Sequence, residues 1–148
     1  MSIQEQINHD IKEAMKTKNA DKLAALRAVK SAIILEATKK GDSMVPDDIS
    51  LKLIAKLVKQ RKDSAAIFIE QNRGDLADDE VSQVAYLEEY LPDQLEESEA
   101  LKIIREVIAQ VGASSSADLG RCMKLLIPKL NGKVDGSLIS KLVMKELN

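Results

Sequence analysis

Apolar residues in this chain recur at every third or fourth position, and no stretch alternates apolar with polar residues as a half-buried strand would. Ile3, Ile7, Ile11 and Met15 set the pattern, an apolar stripe on an otherwise polar cylinder that predicts a first helix ending near Lys18. Asn19 is placed to cap a second helix with the stripe Leu23, Leu26, Val29 or Lys30, Ile33 and Ala37, Val29 facing the core and Lys30 bordering it. Lys39, Lys40 and Gly41 close that helix, because cations suit a helix C-terminus and glycine accepts the left-handed conformation there. Pro46 followed by Asp47 and Asp48 reads as a new start, so a third helix is expected over residues 47–71, using Ile49, Leu53, Leu57, Ala65 and Phe68 and stopped by Asn72 and Gly74. With short connections, the second and third helices should form an antiparallel pair with the first alongside. A fourth helix over residues 78–90 must end before Pro92, whose ring pushes the preceding residue out of helical space.

The "LPDQLEE" stretch at 91–97 is the expected boundary, giving an N-terminal domain of residues 1–92 and a C-terminal one of 93–148. Beyond it the helices shorten. One is capped by Ser98 and stopped by Gly112, another is capped by Ser116 or Asp118, and a last one begins at "DGSLIS". Their shared core should include Leu101, Ile104, Ile108, Leu119, Met123, Leu126, Leu138, Leu142 and Val143. The expected fold is all-α: an N-terminal antiparallel helical hairpin region followed by a small three-helix bundle. A chain of 148 residues buries roughly 70% of its unfolded surface, enough to hold a core without metal or disulfide.

Cys122 is the single cysteine, which excludes an internal disulfide and a cysteine-rich zinc site and fits a reducing compartment. The first sixteen residues contain no apolar run of signal-peptide length, and no segment of about 18 apolar residues occurs, so a cytoplasmic protein without membrane association is expected. The net charge of −2 conceals a strong segregation. Residues 75–99 carry ten acids and no base, residues 1–62 thirteen bases against eight acids, and residues 118–148 six bases against three acids.

Catalytic groups are scarce. His9 stands two residues beyond Ile7 and so turns toward the polar side of its helix, while Cys122 lies among core positions, where thiols behave as small hydrophobes. No Gly-x-Ser-x-Gly elbow is present, and the acids of "DLADDE" lack calcium-loop spacing and suit a helix start. Gly132-Lys133 evokes a phosphate loop, but Ile127 stands where its first glycine belongs and Val134 where the magnesium-binding hydroxyl belongs. No catalytic residue, cofactor or metal is expected.

Two sets of bases remain. Arg121, Lys124, Lys129, Lys133 and Lys141 surround the turn at 131–136, and Lys52, Lys56 and Lys59 share a helix face at i, i+4, i+7 spacing. Either set suits a phosphate backbone, and either is equally an ordinary solvated surface. Base stacking is disfavoured, because Tyr86, Tyr90 and Phe68 are the only aromatic residues.

The segments "KQRKDSAAIF", "LEEYLPDQL" and "GASSSADLGRCMKLLIPKLNGKVDGSLISKLV" resemble the YqeY-like family nearly end to end. In that family the C-terminal part is similar to the tail domain of GatB, the kinase and transamidation subunit of the glutamine-dependent tRNA amidotransferase. Asp118, Gly120, Met123, Pro128, Lys129, Leu130, Gly132, Asp135 and Gly136 carry the likeness, while Lys124 departs from it where glycine is usual. The resemblance implies a three-helix bundle of GatB-tail type and a non-catalytic module associated with tRNA or with an amidotransferase-type complex. It brings no active site with it, so an inherited label of carbon–nitrogen ligase with glutamine as amido donor would refer to an absent domain. From charge alone, the acidic segment 75–99 is also a possible seat for a basic protein partner. Along residues 118–137, Asp118 and Asp135 are expected to cap helices, Gly132 and Gly136 to permit the turn, and Pro128 to shorten or kink the helix before it.

Overall fold

The computed structural model describes all 148 residues and is helical throughout, without strands. It divides into two compact units, Met1–Leu91 and Pro92–Asn148.

The N-terminal unit holds α1 (Ile3–Lys16), α2 (Ala20–Lys40), α3 (Asp47–Glu70) and α4 (Gly74–Glu88). Ser2 and Glu5 form a reciprocal capping box at the start of α1. Helix α1 ends at Lys16, two residues short of the expected Lys18, which takes a left-handed φ of 56° in the turn. Its buried line runs through Ile7, Ile11 and Ala14, while Met15 is exposed. A strict four-residue repeat drifts by about 40° per step on a helix of 3.6 residues per turn, so by Met15 the row has left the interface and Ala14 takes its place.

Asn19 caps α2 by accepting the Lys22 N–H at 3.2 Å, and Gly41 closes it at φ 71°. Leu26, Val29, Ile33 and Ala37 are buried as expected; Lys30 is exposed rather than bordering the core. On α3 the buried positions are Ser50, Ile54, Val58 and Ala65, with Ile49, Leu53 and Leu57 packed at the edge. The expected row was thus rotated, because α3 is contacted from more than one side. Its most extensive neighbour is α4, not α2, and α1 packs chiefly on α2. Arg61 donates to Gln83 at 2.9 Å and Lys62 pairs with Glu88 at 3.1 Å, registering α3 and α4 as an antiparallel hairpin. Asn72, at φ 58°, ends α3 as anticipated, but Gly74 opens α4, four residues ahead of the expected start, and Asp75 in the first turn suits the helix dipole.

The C-terminal unit packs α5 (Glu97–Val111), α6 (Leu119–Leu130) and α7 (Gly136–Leu147) around Ile104, Val107, Cys122, Leu126, Leu130, Leu142 and Val143. Of the expected core, Leu101, Ile108, Leu119, Met123 and Leu138 are only partly buried, lying at its rim. Glu96 occupies the N-cap of α5 and Ser98 lies inside the helix, correcting the expected cap; Gly112 ends α5 at φ 68°.

Candidate nucleic-acid interface

The turn that joins α6 to α7 is fixed from below. Gly132 takes a φ of 78°, which lets the Lys133 and Val134 N–H groups both return to the Leu130 carbonyl, at 2.9 and 3.2 Å. The segment ahead of α5 is tied to the same turn: the Leu95 N–H donates to the Lys133 carbonyl at 3.0 Å, and the Gln94 amide donates to the carbonyl of Gly132. Lys133 is therefore anchored through its backbone and is only half exposed.

Pro128 stands in the last turn of α6, and the helix continues only to Leu130. The ring removes the N–H that would otherwise return to the Lys124 carbonyl, which is consistent with so early a stop. Gly136 is the first residue of α7 and Gly120 the second of α6; neither has a positive φ, and a Cβ at either would meet nothing within 4 Å. Gly136 is therefore not required by the turn, and that duty falls on Gly132 alone.

The two aspartates act differently from the expected caps. Ser115 and Asp118 form a capping box around the short 3-10 turn Ser116–Asp118 that precedes α6. The Asp118 carboxylate reaches backward to the N–H groups of Ser114 and Ser115, at 3.0 and 3.4 Å, and makes no cap bond into α6. The Ser114 hydrogen bond is the main cause holding this carboxyl below the ordinary carboxylate range, with Arg121 adding to it. Asp135 occupies the N-cap position of α7, but its carboxylate accepts from the Ser137 hydroxyl and makes no cap bond to the helix backbone.

The bases divide by what they touch. Arg121 is engaged: its guanidinium lies 3.6 Å from Asp118 and donates to the Val111 carbonyl at the end of α5, so its role is to close a helix terminus. Lys124, Lys129 and Lys141 are exposed. Lys124 and Lys129 lie about 140° apart around α6, so they form no single row, whereas Lys141 and Lys145 share a face of α7 at i, i+4. Lys145 was missed by sequence reasoning, although this spacing from Lys141 would have shown it. In the N-terminal unit Lys52, Lys56 and Lys59 are all exposed on α3, but Lys59 pairs with Asp63 at 3.3 Å. His9 is exposed, and Cys122 is fully buried in the core of its bundle.

What the two units define is an all-helical protein whose exposed cations are spread over every helix but α4, those of α3, α6 and α7 among them. No helix is long and apolar enough to cross a membrane. The profile of the family described as Yqey-like protein matches residues 4–147, and the chain belongs to that family. Similar proteins include three that share the name altered inheritance of mitochondria protein 41, mitochondrial. The one from Candida glabrata is 31% identical over 138 residues, covering 91% of this chain and 72% of the relative. That from Kluyveromyces lactis is 32% identical over 84 residues, 57% of this chain and 45% of the relative. That from Saccharomyces cerevisiae strain YJM789 is 34% identical over 128 residues, 85% of this chain and 66% of the relative. The chain thus spans less than two thirds of the length of the last two, and the mitochondrial names do not favour the expected cytoplasmic location.

Proposed function

We propose that this protein is a binding module for tRNA, or for an amidotransferase-type complex on tRNA, and that the α6–α7 side of the C-terminal unit contacts phosphate through Lys124, Lys129, Lys133 and Lys141. The observation that carries this reading is the fate of the acids in residues 118–148. Asp118 is held by Arg121 and two backbone N–H groups, Glu146 pairs with Arg105 at 3.1 Å, and Asp135 is bonded to Ser137. The lysines of the same segment take no part in these ion pairs and keep their charge for an external anion. Arg121 is left out of the contact set, since its guanidinium is committed within the unit. Lys52, Lys56 and Lys59 supply further cationic surface on the N-terminal unit, with Lys59 weakened by Asp63. Phosphate-directed contacts suit a chain with so few aromatic planes on which to stack bases. A cytoplasmic setting stays part of the proposal and is tested by fractionation against the mitochondrial one that the relatives' names carry.

Gel-shift titration of the full chain against tRNA at about 50 mM and about 200 mM salt tests the reading, because each neutralised phosphate releases counterion and steepens the salt dependence. Binding at the lower salt that weakens sharply at the higher is the expected result. Absence of a shifted band at the lower salt overturns it.

A further inference from the structure

A different surface, on the N-terminal unit, faces the opposite kind of partner. The α3–α4 hairpin extends past the main core of its unit: the buried cluster stops at Val58 on α3 and Val84 on α4, and only Ala65 and Ala77 are buried nearer the connecting turn. Large aliphatic side chains are nevertheless exposed there, Ile67 at 52%, Ile69 at 62% and Val81 at 56%.

The Lys62–Glu88 ion pair marks one flank of this hairpin. Seven residues are close to two helical turns, so Ile69 lies on the same flank as Lys62, and Val81 on the same flank as Glu88. Both steps run toward the turn, so Ile69 and Val81 share this flank, offset along the helices by the few residues that the long Lys62 and Glu88 side chains span. Ile67 is about 160° away from Ile69 around α3 and belongs to the other flank. On α4 the exposed positions Asp78, Val81, Ala85 and Glu89 are spaced three, four and four apart and form one stripe. On α3 Ala66 is exposed between Lys62 and Ile69. The flank therefore has aliphatic residues near its tip, two alanines too short to obstruct a second helix, and carboxylates at both ends of the α4 stripe.

Charge selects the occupant. Residues 63–81 carry six acids and one base. That base, Arg73, is held by both oxygens of Asp75, at 3.2 and 3.1 Å, which holds the Asp75 carboxyl below its ordinary range and leaves little cationic charge at the tip. Lys62, the nearest base on the flank itself, is paired with Glu88. An exposed aliphatic strip bordered by Asp78 and Glu89 complements a helix whose own apolar face is bordered by Lys or Arg, and opposes an acidic one.

We infer that the Ile69–Val81 flank of the α3–α4 hairpin is a docking site for a basic amphipathic helix of a protein partner. The inference is independent of the tRNA reading, because the surface lies on a different unit and carries the opposite charge.

The probe is a fluorescein-labelled helical peptide of Leu and Lys, with Leu on one face and Lys bordering it, titrated with the full chain by fluorescence anisotropy. A matched peptide with Glu in place of every Lys is the control. The Lys peptide should bind and the Glu peptide should not. Ile69→Ser and Val81→Ser should each weaken binding by about tenfold or more, as buried aliphatic anchors do. The double substitution Asp78→Lys with Glu89→Lys should weaken it further, and Ile67→Ser, an equally exposed change on the other flank, should leave it unaltered. All three aliphatic positions are more than half exposed, so circular dichroism melts of these variants should match the parent. Failure of the Lys peptide to bind overturns the inference. Loss caused by the charge reversal but not by Ile69→Ser or Val81→Ser also overturns it, showing only diffuse attraction. Sedimentation that reveals a dimer of this chain dissolved by Val81→Ser overturns the choice of occupant in favour of a second copy.

Discussion

Replacing Tyr90 with Phe removes a single oxygen that ties the end of α4 to α1. The phenol donates to Asp10, whose other oxygen accepts from Gln6 at 3.0 Å. Burial, reinforced by the Asp10 hydrogen bond and charge, pushes this phenol well above its ordinary range. A hydrogen bond to a charged acceptor contributes about 1.5–3 kcal/mol. Tyr90 is half buried and Asp10 keeps its Gln6 bond, so solvent screening puts the expected loss near the lower end, about 1.5 kcal/mol. In a unit spanning Met1–Leu91 that corresponds to a fall in Tm of about 6–12 °C. Tyr86 and Tyr90 are the only tyrosines and tryptophan is absent, so tyrosine fluorescence reports this unit alone, with Tyr86 remaining as the probe in the variant. The pH dependence has a definite sign. A folded pKa raised above the unfolded one stabilises fully below the unfolded value, about 10, and the contribution is lost as pH rises through the folded value. The Tm gap between parent and variant should be constant from neutrality to about pH 10 and narrow beyond it. A gap below about 1 °C at neutral pH, or one that stays constant to about pH 12, would refute the reasoning.

Two glycines should respond in opposite directions. Gly112→Ala places a Cβ on a residue at φ 68° and should destabilise the C-terminal unit by about 1 kcal/mol, whereas Gly120→Ala, helical and facing open space, should stabilise it by about 0.5 kcal/mol; urea unfolding of both variants checks the pair. Asp118, with its folded pKa depressed, stabilises above its unfolded value and loses that contribution as pH falls through the folded one. Carboxyl NMR titration should find it below the usual aspartate range, and Asp118→Asn should flatten the acid limb of stability; an ordinary titration midpoint contradicts the capping-box role.

The fold was legible where a residue has its own conformational preference or a short-range partner. Gly41 and Gly112 end helices in the left-handed conformation, Asn72 ends α3 in the same way, and Asn19 caps α2. It was less legible where the answer depends on neighbours in space. Four-residue spacing concealed the drift that exposes Met15, and the buried face of α3 turned toward Ile54 and Val58 because a different helix from the expected one packs against it most. The candidate lysines could be read as residue types, but their availability could not. Whether a charge is committed depends on long-range partners, as with Arg121 reaching the carbonyl of Val111, or on rotamer choice, as with Lys59 and Asp63. Asp118 shows the same limit, since its carboxylate turns back to Ser114 instead of forward into α6.

The central proposal is that the lysines of α6 and α7 meet phosphate. Its most direct test is the slope of log affinity for tRNA against log salt, measured for the parent and for a Lys124, Lys129 and Lys141→Ala triple variant. Each lost phosphate contact should lower the slope by about 0.7–0.9, so the triple variant should lose roughly two to three and bind more weakly at every salt concentration. A variant that keeps the parent's slope and affinity while remaining folded would contradict the claim.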